Sequence, residues 1–271
     1  MLAEQRLREG KLDDTLELLQ TEVRARPDDV RLRVFLFQLL ALMGNWDRAV
    51  KQLQVAGQLD PSALGMAQAY REVLRCEALR TEVFLGRRAP MFLGEPPAWM
   101  ALLIEALRLE SELYHAQADA LRGEALDTAS SRAGVLNGTA YEWIADGDSR
   151  LGPTLEVFLR GRYYWLPFSS VMELEVEPPS DLRDLVWLPA RLTLEGTEAL
   201  PCFIPTRYID THLGSDELRL SRRTEWREPG PHTIIGLGQR TLFTNLGECA
   251  LLDLRTLNAE ASEPVESPRD A

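Results

Sequence analysis

Gly10-Lys-Leu-Asp-Asp14 and Gly44-Asn-Trp-Asp-Arg48 open two segments that overlay when one is shifted by 34 residues. Each segment runs on to a proline, Pro27 in the first and Pro61 in the second. A small residue at a turn, an apolar helix after it and a proline at the helix end describe a helical unit that occurs twice. The repeat therefore predicts that the chain begins as an array of helices.

A period of 34 residues is typical of tetratricopeptide repeats, which are stacked helical hairpins. Such stacks leave a curved surface that commonly binds another polypeptide. The match fades after Pro61, because position 78 is alanine and no proline stands at position 95. We therefore predict one full hairpin, one partial hairpin that lacks most of its first helix, and diverged helices after them. The alternative is an ordinary helical array, which needs no ligand.

Helix patterns continue along the first half of the chain. Apolar residues recur every three or four positions from Leu12 to Ala25, and Asp14 with Glu17 resembles a capping pair. Asp60-Pro61 predicts the start of a helix that runs from about Ser62 to Phe84. A further long helix is predicted from about Ala98 to Leu121, with one apolar stripe that comprises Leu102, Leu103, Ala106, Leu109 and Leu113.

Composition narrows the class of protein. A hydrophobic content of 45% can form a core, and a net charge of -12 disfavours general binding to nucleic acid or to anionic lipid. We expect the arginines between Arg219 and Arg227 to be solvated or salt-bridged. Val30–Met43, the longest apolar run, is too short to span a membrane, and the N-terminus lacks the apolar core of a signal peptide. With three scattered cysteines, these features predict a cytoplasmic location and no membrane insertion.

The character of the sequence changes near residues 127–137, where serine, glycine and asparagine replace alanine and leucine. We predict an α+β fold, in which an N-terminal tetratricopeptide-like helical array (1–128) precedes a C-terminal β-rich mixed domain (134–258). The last residues, 261–271, have the composition of a disordered tail. A helix is predicted at Ser215–Arg222, and strands are predicted at Thr139–Ala145, Thr154–Leu159, Arg162–Leu166, Val171–Val176, Trp187–Leu194, Leu200–Ile204, Thr233–Leu237, Arg240–Thr244 and Cys249–Leu254.

The sequence offers no connected catalytic, metal or cofactor site. None of the three histidines stands at ligand spacing from a cysteine or another histidine. Asp146-Gly-Asp148 lacks the rest of a calcium loop, so we expect a tight turn whose carboxylates accept backbone hydrogen bonds. Cys202 reads as a buried strand cysteine, and Asp210 with His212 is too short a pattern to indicate an acid and base pair. We therefore predict a protein that is not an enzyme and needs no cofactor.

Four motifs of the second half can be compared as a set: Asp146-Gly-Asp-Ser-Arg-Leu-Gly-Pro153, Gly161-Arg-Tyr-Tyr-Trp-Leu-Pro167, Asp181-Leu-Arg-Asp-Leu-Val-Trp-Leu-Pro-Ala190 and Gly236-Leu-Gly-Gln-Arg240. Their order after a repeat-like helical domain resembles the ImpE family, also called TagJ or SciE, of type VI secretion accessory proteins. One departure is Ser221, where the family pattern has glycine. The resemblance implies a cytoplasmic adaptor that binds the small subunit of the contractile sheath through an N-terminal helix of that subunit. It also implies a link to sheath assembly or to recycling by an ATPase, and it leaves the oligomeric state open.

Two sets of residues are candidates for partner binding. If the repeat register holds, seven residues line the inner helices: Arg31, Val34, Phe35, Gln38, Gln68, Glu72 and Arg75. An aromatic run could instead form an interface anchor: Tyr163, Tyr164 and Trp165. The alternative for Val34, Phe35 and the aromatic run is an ordinary place in the core. Two other functions stay open, a tetratricopeptide co-chaperone that clamps a carboxylate tail and an enzyme carried by the β-rich domain.

Overall fold

The computed structural model describes residues 2–259. Helices fill the first part of this range and antiparallel strands fill the second, as the sequence predicts. The last helix of the array ends at Thr128 and the first strand begins at Gly134. The predicted tail, 261–271, lies outside the described residues.

Within the described range, the N-terminal part contains seven helices. They are α1 (Leu2–Arg8), α2 (Leu12–Ala25), α3 (Val30–Leu42), α4 (Trp46–Leu59), α5 (Leu64–Phe84), α6 (Ala98–Ser111) and α7 (His115–Thr128). Gly10 and Gly44 lie at the turns inside the first two hairpins, each with a positive φ near 74°. Only glycine adopts this left-handed conformation without strain, which explains why the repeat has glycine at both positions.

Helix starts follow the sequence in one case and depart from it in another. The Asp60 carboxylate accepts a hydrogen bond from the Ser62 backbone N–H at 2.8 Å, as the Asp60-Pro61 pattern predicts. The predicted capping pair of Asp14 and Glu17 is wrong, because α2 begins at Leu12 and has no side-chain cap of its own. Its Leu12 N–H instead donates to the Asp216 carboxylate at 3.1 Å, so the β-rich domain caps this helix.

The repeat ends at α5, which runs for 21 residues through the place where a third hairpin would turn. The predicted single helix from Ala98 to Leu121 is wrong, since α6 and α7 are separate. Leu113 adopts a left-handed φ of 67° between them, and Tyr114 N–H closes the end of α6 on the Leu109 carbonyl at 2.9 Å. Leu113 is therefore 77% exposed and does not belong to the apolar stripe.

The C-terminal part holds one large sheet and two small ones. Its strands are β1 (Gly134–Leu136), β2 (Thr139–Tyr141), β3 (Ile144–Asp146), β4 (Thr154–Leu159), β5 (Arg162–Pro167), β6 (Val171–Val176), β7 (Trp187–Leu194), β8 (Leu200–Pro205), β9 (Thr224–Gly230), β10 (Thr233–Gly238), β11 (Thr241–Thr244), β12 (Gly247–Ala250) and β13 (Thr256–Ala259), with the short helix α8 (Asp216–Arg219) before β9. The large sheet has the order β2-β1-β13-β6-β7-β8-β4-β5, and the small sheets are β12-β11-β3 and β10-β9. Every paired neighbour in these sheets is antiparallel.

Several strand predictions need correction. Three strands, β1, β9 and β13, have no counterpart among the predicted strands. Thr139–Ala145 is two strands, because the chain leaves the large sheet after β2 and enters a small sheet at β3. The predicted strand Cys249–Leu254 ends at Ala250, where a 3-10 turn (Leu251–Asp253) follows.

The helical array and the large sheet share one hydrophobic core. Tyr70 of α5 packs against Phe37 of α3 and against Phe203 of β8, with ring centroids 5.5 and 5.2 Å apart. Trp46 of α4 packs against Trp187 of β7 at 5.7 Å. Aromatic pairs at such distances add to the energy of simple burial, so the two parts are held together by core packing.

A candidate groove for a partner helix

The candidate residues on α3 lie in two different environments. Arg31 is exposed and Phe35 is half-buried, and both line a recess of about 460 Å³ beside α1. Val34 is half-buried. Gln38 is buried, and its side-chain amide lies 3.4 Å from the Asp181 carboxylate of the β-rich domain. Gln38 therefore contacts the other domain and is not available to a partner.

The candidate residues on α5 share one face of that helix, since Gln68, Glu72 and Arg75 follow one another at spacings of four and three. Gln68 and Arg75 are exposed. Glu72 is half-buried and lies against Gly161 in the turn between β4 and β5. Of the three, Glu72 lines a groove of about 840 Å³.

The aromatic candidates lie inside the protein. Tyr163 and Trp165 are fully buried, and Tyr164 is 7% exposed. They alternate along β5, so Tyr163 and Trp165 pack in the core shared with the helices while Tyr164 packs in the core of the β-rich domain. None of the three presents a surface to a partner, and burial removes them from the candidate interface.

The groove lined by Glu72 lies between α5 and the large sheet and has a volume of about 840 Å³. Its helical wall is formed by Ala69, Val73 and Cys76, which follow one another at spacings of four and three on α5. Its floor is formed by the ends of four neighbouring strands and includes Phe158, Pro189, Pro201 and Phe203. The groove is therefore an apolar trough built by both domains.

The trough exists because α5 covers only part of the sheet. Tyr70 contacts Phe203 on β8 and Arg80 bonds to Glu156 on β4, which places α5 above those two strands. On the neighbouring strands β6 and β7, the residues of the same face are exposed near the groove: Glu175, Pro189 and Arg191. The sheet face beside α5 is thus open.

Charged side chains surround the trough. Three are acidic, Glu72, Glu175 and Glu177, and three are basic, Arg160, Arg191 and Arg255. Arg191 and Glu175 face each other across β7 and β6 at 3.9 Å. An apolar floor with a polar rim is the usual form of a groove that binds an amphipathic helix.

Behind the groove, a buried ionic network joins the two domains. Arg80 on α5 donates to both oxygens of Glu156 on β4, at 2.7 and 3.0 Å, and to Glu77 at 3.0 Å. The other oxygen of Glu77 accepts from the Trp187 indole at 2.9 Å. Burial opposes ionisation of Glu156, but Arg80 and Arg240 outweigh it and hold the pKa of this carboxyl below its usual value.

The network continues through residues of the first and last sequence motifs, 146–153 and 236–240. Arg240 bonds to Asp146 at 2.8 Å and to Glu156 at 3.2 Å. Asp146 and Asp148 accept hydrogen bonds from the backbone N–H groups of Asp148 and Arg150, at 2.9 and 3.0 Å, which confirms the predicted turn. The motif residues therefore hold the domains in place. Sequence reasoning missed Glu77 and Arg80, because nothing local distinguishes them from other charged residues on α5.

The structure assigns structural positions to the other titratable candidates. His212 packs edge-on against Trp46, with ring centroids 6.0 Å apart, and burial lowers the pKa of its imidazole. Arg219 pairs with Asp216, and Arg223 pairs with Glu217 and Glu225, as expected for a salt-bridged cluster.

Among residues 2–259, no three His, Cys, Asp or Glu side chains come together as a metal site. No helix in that range is long and apolar enough to cross a membrane.

The three cysteines should differ in reactivity. Burial raises the pKa of the Cys76 and Cys202 thiols to about 12, which leaves only about one thiolate in ten thousand at pH 8. Cys249 is partly exposed. We expect Ellman's reagent at pH 8 to modify Cys249 first and to reach the other two only in denaturant. A Cys249→Ser variant that still reacted rapidly in the folded state would contradict the burial of Cys76 and Cys202.

Comparison with known proteins agrees with both halves of the fold. Residues 138–258 match the family described as ImpE protein, and residues 6–70 match the tetratricopeptide repeat family. The chain is 50% identical over 264 residues to a protein of Pseudomonas aeruginosa named type VI secretion system accessory component TagJ, with 97% of this chain and 92% of that protein covered. The crystal structure of protein VPA1032 from Vibrio parahaemolyticus is similar with a TM-score of 0.89 at 26% identity, over 97% of this chain and 98% of that one.

Proposed function

This chain belongs to the ImpE family of type VI secretion accessory proteins, and from that premise we propose that it is a non-enzymatic cytoplasmic adaptor of a bacterial type VI secretion system. We propose that its partner is the small subunit of the contractile sheath, bound through an N-terminal helix of that subunit. The adaptor would then influence sheath assembly or sheath recycling by the ATPase. The observation that carries the proposal is the apolar trough between α5 and the open sheet face.

The dimensions of the trough favour a helix as its occupant. Neighbouring strands lie about 4.8 Å apart, so β6 lies about 10 Å from β8, above which α5 is placed. Packed helices lie about 8–10 Å apart. A helix placed above β6 and β7 would therefore lie at packing distance from α5 and would cover the exposed sheet face.

The surface chemistry of the trough also favours a helix. Ala69, Val73 and Cys76 form a narrow apolar stripe with small side chains at two of its three positions, which allows close approach of another helix. The floor adds Pro189, Pro201 and Phe203. A partner helix would bury its own apolar stripe between these surfaces, and its backbone would need no pairing with a strand edge.

A single charge in the trough should weaken binding. Ala69 is half-exposed and lines the trough, whereas Ala78 lies on the same helix, is exposed and does not line it. We expect Ala69→Asp to weaken binding of the purified sheath subunit by about tenfold or more, because a carboxylate would be buried without a partner. Isothermal titration calorimetry measures the change.

Ala78→Asp is the matched control, since it makes the same substitution in the same helix. We expect it to bind as the wild type does. Equal weakening in both variants would place the cause in the stability of α5 and would remove the trough from the proposal. If the wild-type protein retains no sheath subunit at all, the adaptor proposal itself is lost.

The recess between α1 and α3 is the competing location for the partner helix. Arg31 is exposed there, so Arg31→Asp changes the charge of that recess without disturbing the core. We expect Arg31→Asp to leave binding unchanged if the helix occupies the trough. A loss in Arg31→Asp with normal binding in Ala69→Asp would move the site to the first hairpins.

A further inference from the structure

We propose that the segment bound in the trough is a basic amphipathic helix, oriented so that its cationic flank faces strand β6. This inference rests on the proposed function, because it specifies the chemistry of the helix that the trough accepts. Apolar contact holds the partner helix in the trough, and charge selects the helix and sets its orientation.

Strand β6 and the residue after it present a row of carboxylates. Glu173, Glu175 and Glu177 alternate with buried Leu174 and Val176, so all three point from the same face of the sheet. That face is the open one beside α5, and all three glutamates are exposed. Successive members of the row lie about 7 Å apart, because two residues of a strand span that length.

The row is only partly neutralised by the protein itself. Arg191 pairs with Glu175 at 3.9 Å, and both side chains remain largely in solvent. The β7 residue opposite Glu173 is Thr193, and the β7 residue opposite Glu177 is Pro189. Neither of these residues carries a charge.

The other two rim arginines differ in their distance from β6. Arg255 adjoins β6, since the Val176 N–H donates to its carbonyl at 2.8 Å. Its guanidinium N–H groups donate to the carbonyls of Leu252 and Leu254, at 2.8 and 2.5 Å. Arg160 stands in the turn between β4 and β5, three strands away from β6 in the sheet order. Along β6, the three carboxylates of Glu173, Glu175 and Glu177 therefore face two guanidinium groups, and that of Arg255 is bonded to backbone carbonyls. This side of the trough has a net negative charge.

Charge complementarity then sets the orientation of the helix. Its apolar stripe faces α5 and the prolines of the floor, and lysine or arginine residues on the adjacent flank meet the glutamate row. Because such residues recur at spacings of three or four on a helix, about 5–6 Å apart, two of them can reach successive glutamates. The net charge of -12 also attracts a cationic segment at long range.

Removal of the row tests the inference. We expect the triple variant E173Q/E175Q/E177Q to bind the wild-type sheath subunit about tenfold more weakly at low salt, since three exposed charge pairs each contribute modestly. Its affinity should also fall less steeply than that of the wild type between 50 and 300 mM NaCl, because fewer charges are screened. The matched control is Glu195→Gln/Glu198→Gln, which removes exposed carboxylates in the turn after β7.

The outcomes separate the two proposals. If the wild type binds the sheath subunit but the triple variant keeps both its affinity and its salt dependence, the charge inference is wrong and the adaptor proposal stands. If the wild type does not bind, the adaptor proposal fails first. If the control variant loses as much affinity as the triple variant, the effect comes from net charge, and the role of β6 is overturned.

Two designed peptides give an independent measurement. Both are 14-residue helices with the same apolar stripe, and one carries lysines on the adjacent flank where the other carries glutamates. We expect the lysine peptide to bind the wild-type protein and to be displaced by the sheath subunit. Equal binding of both peptides, or binding of the glutamate peptide alone, would overturn the inference.

Discussion

Arg80→Met is expected to lower the free energy of unfolding by about 3–5 kcal/mol, the usual cost of breaking a buried ion pair by removing one partner. Arg80 is 2% exposed and donates to Glu156, to Glu77 and to the Arg207 carbonyl. Its loss leaves two carboxylates buried with fewer donors. Urea unfolding followed by circular dichroism measures the change.

Arg87→Met is the control for this prediction. Arg87 lies just beyond the end of α5 and pairs with Glu82 at 3.1 Å, but its side chain is 63% exposed. Removal of such a pair should cost less than about 1 kcal/mol. If the two variants unfold alike, the network does not stabilise the contact between the domains. If Arg80→Met does not fold, Arg80→Lys keeps one charge and gives an intermediate value.

Gly44→Ala is expected to lower the free energy of unfolding by about 2–4 kcal/mol, from two causes that add. A φ of 73° costs an alanine roughly 1 kcal/mol or more, because its Cβ crowds the following carbonyl. The new Cβ would also lie 2.5 Å from the His212 ring, and overpacking of this kind costs about 1–3 kcal/mol. Thermal unfolding gives the total.

Two comparisons separate the causes. Gly94 has a φ of 83° and no neighbour within 4 Å of a built Cβ, so Gly94→Ala should show the backbone cost alone. A His212→Gly background removes both the ring and the Cβ that lies 2.7 Å from the new atom. The overpacking is relieved there, and Gly44→Ala should then cost about as much as Gly94→Ala. If the cost of Gly44→Ala is unchanged in that background, the contact with His212 does not carry it.

The sequence predicted what depends on local pattern. Turn glycines at Gly10 and Gly44, the helix start at Asp60, the buried Cys202 and the turn at Asp146 all follow from residue chemistry over a few positions. The break between α6 and α7 could not be predicted in this way. Leu113 occupies a left-handed position where glycine is preferred, so the sequence contains no residue type that marks the end of α6.

The groove could not be predicted because its two walls are distant in the chain. Ala69 belongs to the helical array and Pro189 to the large sheet, and they meet because α5 lies above β4 and β8. The aromatic run failed for a related reason. Tyr163 and Trp165 have the composition of an interface anchor, but the packing of α5 on β5 decides that they are covered from within.

The turns of the first two hairpins contact the β-rich domain. Gly10 lies beside Leu220 and Arg222, Gly44 lies beside His212, and Asp216 caps α2 from across the domain boundary. In a solenoid that consists of repeats alone, each repeat contacts only its neighbours, so one repeat can be duplicated, deleted or replaced by a consensus unit. Here the turn of each hairpin contacts a different position within residues 212–222 of the β-rich domain. A graft of another repeat would have to bring the matching segment of the β-rich domain with it.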